Sequence, residues 1–204
     1  MLFDDSYKEP QTPATSRLNI RGSKFYGFLF PVKSENEIKA HLEQIKQQYP
    51  DATHWCYAYI LNIDKSNQRF NDDGEPANTA GRPILRQIQS LDLTNTLIVV
   101  VRYFGGKLLG VPGLIEAYGE TAKLVLQSTP LIEKAIEFYY SISFDFVDEA
   151  LVWQLAKQYN ARVHEKNYDS KGNFTLAVPK KNIHIFEETA KNMHKLEWRF
   201  LKPE

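Results

Sequence analysis

From Trp55 to Ile63 the chain reads Trp-Cys-Tyr-Ala-Tyr-Ile-Leu-Asn-Ile, with an apolar or aromatic side chain at nearly every position. Successive side chains of a strand point to opposite faces, so a strand of this composition is stable only where packed layers cover both sides. It is read as the central strand of a covered sheet. A second run, Asn95 to Phe104, is β-branched and too short for a free-standing helix. Glycines and a proline from Gly105 to Gly113 then form a loop, and helical periodicity resumes over Leu114 to Gln127. The order strand, glycine-rich loop, helix follows.

Upstream, Pro10 and Pro13 among polar groups mark the first dozen residues as a loose lead-in. Leu18 to Val32 is rich in β-formers and aromatics and reads as a strand pair turning near Arg21 and Gly22. Ser34 with Glu37 forms a capping box, and Ile38, Leu42, Ile45 and Tyr49 recur at helical spacing until Pro50 stops the pattern. Lys65 to Gly74 is a polar loop, which feeds a helix over Gly81 to Leu91 with Pro83 near its start and Thr79 placed to cap it.

After Pro130 a second unit reads as strand (138–147), helix (148–159), strand (162–168), turn (169–173), strand (174–178), helix (181–194) and strand (196–200). This is the βαββαβ order of a ferredoxin-like domain, with Asp148 placed to cap its first helix. The chain of 204 residues thus reads as α+β in two domains, 1–134 and 135–204. Its 25 basic and 25 acidic side chains cancel, and they balance on each side of Lys134. Binding to nucleic acid would require a local patch. A lone cysteine forms no internal disulfide, the N-terminus lacks the basic and apolar run of a secretory signal, and the longest apolar stretch, Leu97 to Val101, is far too short to span a membrane. A cytoplasmic protein without a membrane role is expected.

Two polar clusters could carry chemistry. In the first, Asp72, Asp73, Gly74, Glu75 and Pro76 precede Thr79, Gly81 and Arg82. Three carboxylates so close can hold a hard cation or form side-chain-to-backbone turns about Gly74, and the alternating ligand spacing of a calcium loop is missing. In the second, Arg102, Tyr103, Phe104, Gly105, Gly106 and Lys107 lead to Gly110. Backbone N–H groups of such a loop can face an anion, helped by Arg102 and Lys107, or the glycines serve only to provide positive φ. Neither a Walker loop nor a dinucleotide fingerprint is present. His54 and Cys56 share a strand face and are either a nucleophile or ligand pair or a buried thiol beside a hydrogen-bonded histidine. No catalytic residue, metal site or cofactor is assigned. The charges beside glycines lead to the expectation that Arg102 and Asp73 serve function more than stability.

These clusters resemble the signature of the YigZ/Impact family: Asp72 to Pro76, Thr79 to Pro83 and Val100 to Gly106, joined by Ala52 to His54, Cys56 to Tyr59, Leu109-Gly110 and Ala117 to Gly119. The resemblance covers most of residues 17–128, and the second unit resembles the C-terminal domain of bacterial members. It implies a first domain shaped like the second domain of a small-subunit ribosomal protein, and a ferredoxin-like second domain similar to one in elongation factor G. Eukaryotic members regulate translation through a further N-terminal domain that this sequence does not contain, so their partner is not carried over. Three departures from the family pattern stand out: Ala77-Asn78, the stiffer Gly110-Val111-Pro112-Gly113-Leu114, and Glu116 in place of an arginine, which repels phosphate.

The expected function is a non-enzymatic regulator of translation or stress response. Its partner would be RNA, the ribosome or a translation-associated protein, met by a surface that includes Arg82, Arg86, Arg102 and Lys107. The alternative is a receptor or enzyme for a phosphate-bearing small ligand held by the two loops. Aromatic side chains of the second unit, Trp153 and Trp198 among them, offer a protein-interaction surface as a third reading.

Overall fold

A computed structural model describes residues 5–203. It divides into two compact units, one spanning Tyr7–Glu133 and the other formed by the residues from Lys134 onward with the segment before Tyr7.

The first unit is built on a five-stranded sheet. Strands β2 (Ala14–Ile20) and β3 (Ser23–Pro31) form a hairpin, and helix α1 (Glu35–Gln48) leads to β4 (His54–Leu61) and β5 (Asn67–Asn71). Helix α2 (Gly81–Ser90), strand β6 (Thr96–Tyr103) and helix α3 (Gly110–Gln127) follow. The strand order is β2-β3-β6-β4-β5, and every neighbouring pair is antiparallel. The middle place belongs to β6, whose residues are buried from Thr96 to Arg102. Strand β4 lies one place from the edge, yet both of its faces are covered. Cys56, Ala58 and Ile60 pack with α2 and α3, whereas Tyr59 and Leu61 pack with Ile38 and Ile45 of α1.

Local chemistry sets the boundaries. Arg21 and Gly22 both have positive φ (47° and 86°), the backbone twist that a two-residue hairpin needs. At α1 the Ser34 hydroxyl accepts a bond from the Glu37 N–H at 3.3 Å, while the Glu37 carboxylate accepts from the Lys33 N–H at 3.0 Å. Thr79 does not cap α2. Its hydroxyl donates to the Pro76 carbonyl at 2.7 Å, and the cap comes instead from Asp72, eight residues before Ala80. Two segments expected to be irregular are strands. In β1 (Ser6–Pro10), which pairs with β7 (Leu131–Ala135), the buried Glu9 carboxylate meets Lys33 Nζ at 2.6 Å and Asn95 Nδ2 at 2.9 Å, partners far off in sequence. The polar β5 is an edge strand, where hydrophilic side chains are tolerated.

The second unit runs β8 (Glu137–Phe144), α4 (Glu149–Gln158), β9 (Arg162–Tyr168), β10 (Gly172–Pro179), α5 (Ile183–Asn192) and β11 (Leu196–Pro203), a βαββαβ order. Its antiparallel sheet is ordered β11-β8-β10-β9. Tyr140, Ile142 and Phe144 alternate along β8 onto one face and pack with Phe174, Leu176, Val152, Leu155 and Phe186. Asp148 makes no cap bond to α4. Its carboxylate pairs with Lys195 Nζ at 3.0 Å.

Candidate functional site

Phe25 on β3, Arg102 on β6 and His54 on β4 stand in register across three adjacent strands and face α2 and α3. Arg102 is thereby carried into the interior, where it is 5% exposed. A buried guanidinium is stable only with a partner. Glu75, on the turn that follows β5, supplies it: Arg102 Nη1 lies 2.5 Å from Glu75 Oε1, and the Glu75 side chain is only 4% exposed. The same oxygen accepts a bond from the Tyr118 hydroxyl of α3 at 2.7 Å, and His54 Nε2 lies 3.8 Å from it. The Cys56 thiol contacts the Tyr118 oxygen at 3.4 Å and donates to the Asp72 carbonyl at 3.1 Å. The guanidinium also sits 5.5 Å from the ring centroids of both Phe25 and Phe104, and Nη2 reaches the Ser23 hydroxyl at 3.4 Å.

The neighbouring carboxylates are held by backbone N–H groups. Asp72 Oδ1 accepts from the N–H groups of Ala80 (3.0 Å) and Gly81 (2.8 Å), and Oδ2 accepts from that of Asn78 (2.8 Å). Asp73 Oδ2 accepts from the Trp55 N–H at 2.7 Å. These bonds fasten the turn to the start of α2 and to β4. Gly81 is obligatory in this packing, because a Cβ there would lie 2.7 Å from the Asn71 backbone nitrogen. Among the described residues no cluster of three or more His, Cys, Asp or Glu side chains is arranged to hold a metal ion.

His54 and Cys56 share a face but turn to different acceptors. His54 Nδ1 is 2.7 Å from the Asp73 carbonyl, which holds the ring beside Gly74. Burial pushes the Cys56 thiol far above its ordinary range, with its hydrogen bond to the Tyr118 oxygen opposing, and burial likewise raises the Tyr118 hydroxyl, reinforced by Cys56 and Glu75. Both shifts favour the protonated forms, and the Cys56 thiol is itself buried.

The glycine-rich loop lies at the end of β6. The Gly105 N–H donates to the Ser23 hydroxyl at 3.1 Å, and the Phe104 N–H donates to Thr53 Oγ1 at 3.1 Å. Gly105 is pressed against the β2–β3 turn so closely that a Cβ would fall 1.9 Å from the Gly22 carbonyl carbon. Gly106 (φ 81°) and Gly110 (φ 72°) supply the left-handed turns that carry the chain into α3. Beyond this anchored base the loop and the start of α3 are open: Leu108 is 85% exposed and Phe104 46% in the loop, and Val111 is 51% and Ile115 38% exposed on α3. Lys107 is exposed as well, Tyr103 is half-buried, and Arg82 is exposed on the first turn of α2. Arg102 therefore departs from the expectation that it faces an anion, whereas Lys107 and Arg82 reach solvent. Ser23 and Phe25 complete the centre without any local motif to mark them, and Tyr118 is marked only by its place between Ala117 and Gly119.

Residues 21–126 match the Impact N-terminal domain family. An IMPACT family member of Haemophilus influenzae is 32% identical over 203 residues, covering 96% of this chain and 97% of its own. The chain belongs to the Impact family. Another Impact relative, YigZ of Escherichia coli, is 30% identical and covers 89% of this chain and 90% of its own. A solved structure described as that of a hypothetical protein superposes with a TM-score of 0.72 at 28% identity, over 98% of this chain and 99% of that one. These matches span both units of this Impact protein. No described helix is long and apolar enough to cross a membrane.

Proposed function

We propose that this protein is a non-enzymatic, cytoplasmic regulator that binds the translation apparatus through the open part of the loop between β6 and α3. The first unit, on this reading, has the shape of the second domain of a small-subunit ribosomal protein, and the second is ferredoxin-like and similar to a domain of elongation factor G. The observation that carries the proposal is a division of labour within the family motif. Glu75, Asp72, Asp73 and Arg102 spend their charges on one another or on backbone, while Phe104, Lys107, Leu108 and Val111 stand in solvent on a base fixed by Ser23 and Thr53. A loop anchored at its base, with apolar side chains and a basic one in solvent, is suited to binding. With a net charge of zero, association with ribosomes or RNA is expected to be weak at physiological salt and stronger at low salt, with a slope set by the few phosphates that the exposed bases reach.

Co-sedimentation with ribosomes across a salt series tests this. The wild type is expected to pellet at low salt. Lys107→Glu should reduce the salt slope by about 1 if Lys107 meets a phosphate, and adding Leu108→Ser should abolish binding while the fold persists. Binding indifferent to both changes would exclude this surface. A second reading, a phosphate-bearing small ligand at the glycine loop, is favoured by one observation: Gly106, at positive φ in open space, stands beside the exposed Lys107. A phosphorylated compound retained in native mass spectrometry and lost in Lys107→Glu would support it.

A further inference from the structure

On the sheet face opposite α2 and α3, the first unit offers a second surface. Strand β2 pairs with β3 from Ala14↔Leu29 to Ile20↔Ser23, and among the described residues no strand pairs with its outer side. An unpaired edge presents a row of N–H and C=O groups to any extended chain that reaches it. Beside this edge, where β2 faces α1, lies an open groove of ≈ 320 Å³. Phe28, Phe30 and Ile45 give it an apolar floor, Thr15, Gln44 and Gln48 give it a polar rim, and none of its lining residues is charged. Two residues beyond Thr15, and so on the same strand face, Arg17 is exposed with its guanidinium 5.5 Å from the Tyr26 ring centroid. No described carboxylate pairs with it.

The charge pattern selects the occupant. A second copy adding its own β2 antiparallel, centred on the middle residue of the strand, would set Arg17 against Arg17, and like charges directly opposite destabilise a pair. An acidic residue at that place is favoured instead. We propose that β2 and the adjoining groove dock an extended segment of a partner protein, running antiparallel to β2. That segment carries an acidic side chain opposite Arg17 and, two residues later, an apolar side chain opposite Thr15 that enters the groove. Main-chain bonds to the β2 edge supply affinity, and the ion pair and groove supply specificity. This site is distinct from the loop between β6 and α3 and goes beyond the reading given to that loop.

The test is an NMR titration of the isotope-labelled full chain with the peptide acetyl-Thr-Thr-Glu-Thr-Leu-Thr-Thr-amide, alongside its twin bearing Lys in place of Glu. The Glu peptide should shift the amide signals of β2 and of Phe28, Phe30, Ile45 and Gln48, and the Lys peptide should bind about threefold to tenfold more weakly. Arg17→Glu, at an exposed position, should reverse that preference. Gln48→Trp, which fills the groove without changing charge, should weaken both peptides. Signals that shift elsewhere, equal binding of the two peptides, or a preference unchanged by Arg17→Glu would overturn the proposal. So would a solution dimer in which the β2 amides are protected from exchange.

Discussion

The Arg102–Glu75 pair makes a quantitative demand on stability. Both side chains are almost wholly buried, and Glu75 Oε1 also holds the Tyr118 hydroxyl. Replacing Arg102 by Met removes the charge at similar length and leaves a carboxylate in the interior with one neutral donor. Removing one partner of a buried pair costs about 3–5 kcal/mol, whereas replacing both partners by apolar groups is often neutral or stabilising. Arg102→Met should therefore lose about 4 kcal/mol, and Glu75→Leu a similar amount because it strands the guanidinium between Phe25 and Phe104. The double variant should recover most of that loss. Urea denaturation, followed by circular dichroism and by the amide signals of β6, measures all three against the wild type. A loss below about 1 kcal/mol for Arg102→Met, well under that expected for a buried pair, or a double variant as unstable as the sum of the singles, would refute the reasoning.

Further outcomes follow from the same centre. Cys56 should resist thiol reagents in the native protein at pH 8 and react on unfolding, since its thiol is buried and held protonated; rapid native labelling would contradict this. Burial raises the Cys56 thiol above its ordinary value of 9.0 and the Tyr118 hydroxyl above 10.0, so above those pH values the unfolded chain releases protons that the folded chain retains. Stability should be flat near neutrality and then fall as pH rises through 9 and 10, by about 1.4 kcal/mol per unit for each group. Urea midpoints between pH 7 and 10.5 would show it, and a midpoint that holds or rises would count against it. Gly105→Ala should cost about 3 kcal/mol by forcing the loop from the β2–β3 turn. Gly106→Ala, in open space at φ 81°, should cost only about 1–2 kcal/mol of backbone strain. Thermal melts of the two variants compare them directly.

What could be read in the sequence was whatever depends on neighbours along the chain. The Ser34–Glu37 box marked α1, the Arg21-Gly22 turn marked the first hairpin, and the apolar periods marked β4, β6, α3 and the elements of the second unit. Strands β1 and β5 escaped because their order comes from distant partners: Glu9 is held by Lys33 and Asn95, and β5 by its register with β4. The caps misled for the same reason. Asp72 reaches across eight residues to do what Thr79 was placed to do, and Asp148 turns to Lys195 instead of its own helix. At the site, spacing identified the charged residues but not their direction. Arg102 at the end of an apolar strand looks alike whether it faces solvent or the layer beneath α3, and only the register with Phe25 and His54 decides. The expectation that Arg102 serves function more than stability is put to the test by the urea series above, because the structure places Arg102 in a buried ion pair that ties three strands, a turn and α3 together.

The central claim is that the ionic centre braces the motif while the loop above it meets the partner. Ribosome co-sedimentation of the folded Glu75→Leu/Arg102→Met variant separates the two roles most directly, with Lys107→Glu/Leu108→Ser as the comparison. The account predicts that the variant without the ion pair binds as the wild type does and that the loop variant does not. Loss of binding in the former, at wild-type stability and with an unchanged loop, would place Arg102 and Glu75 in the binding site and contradict the account.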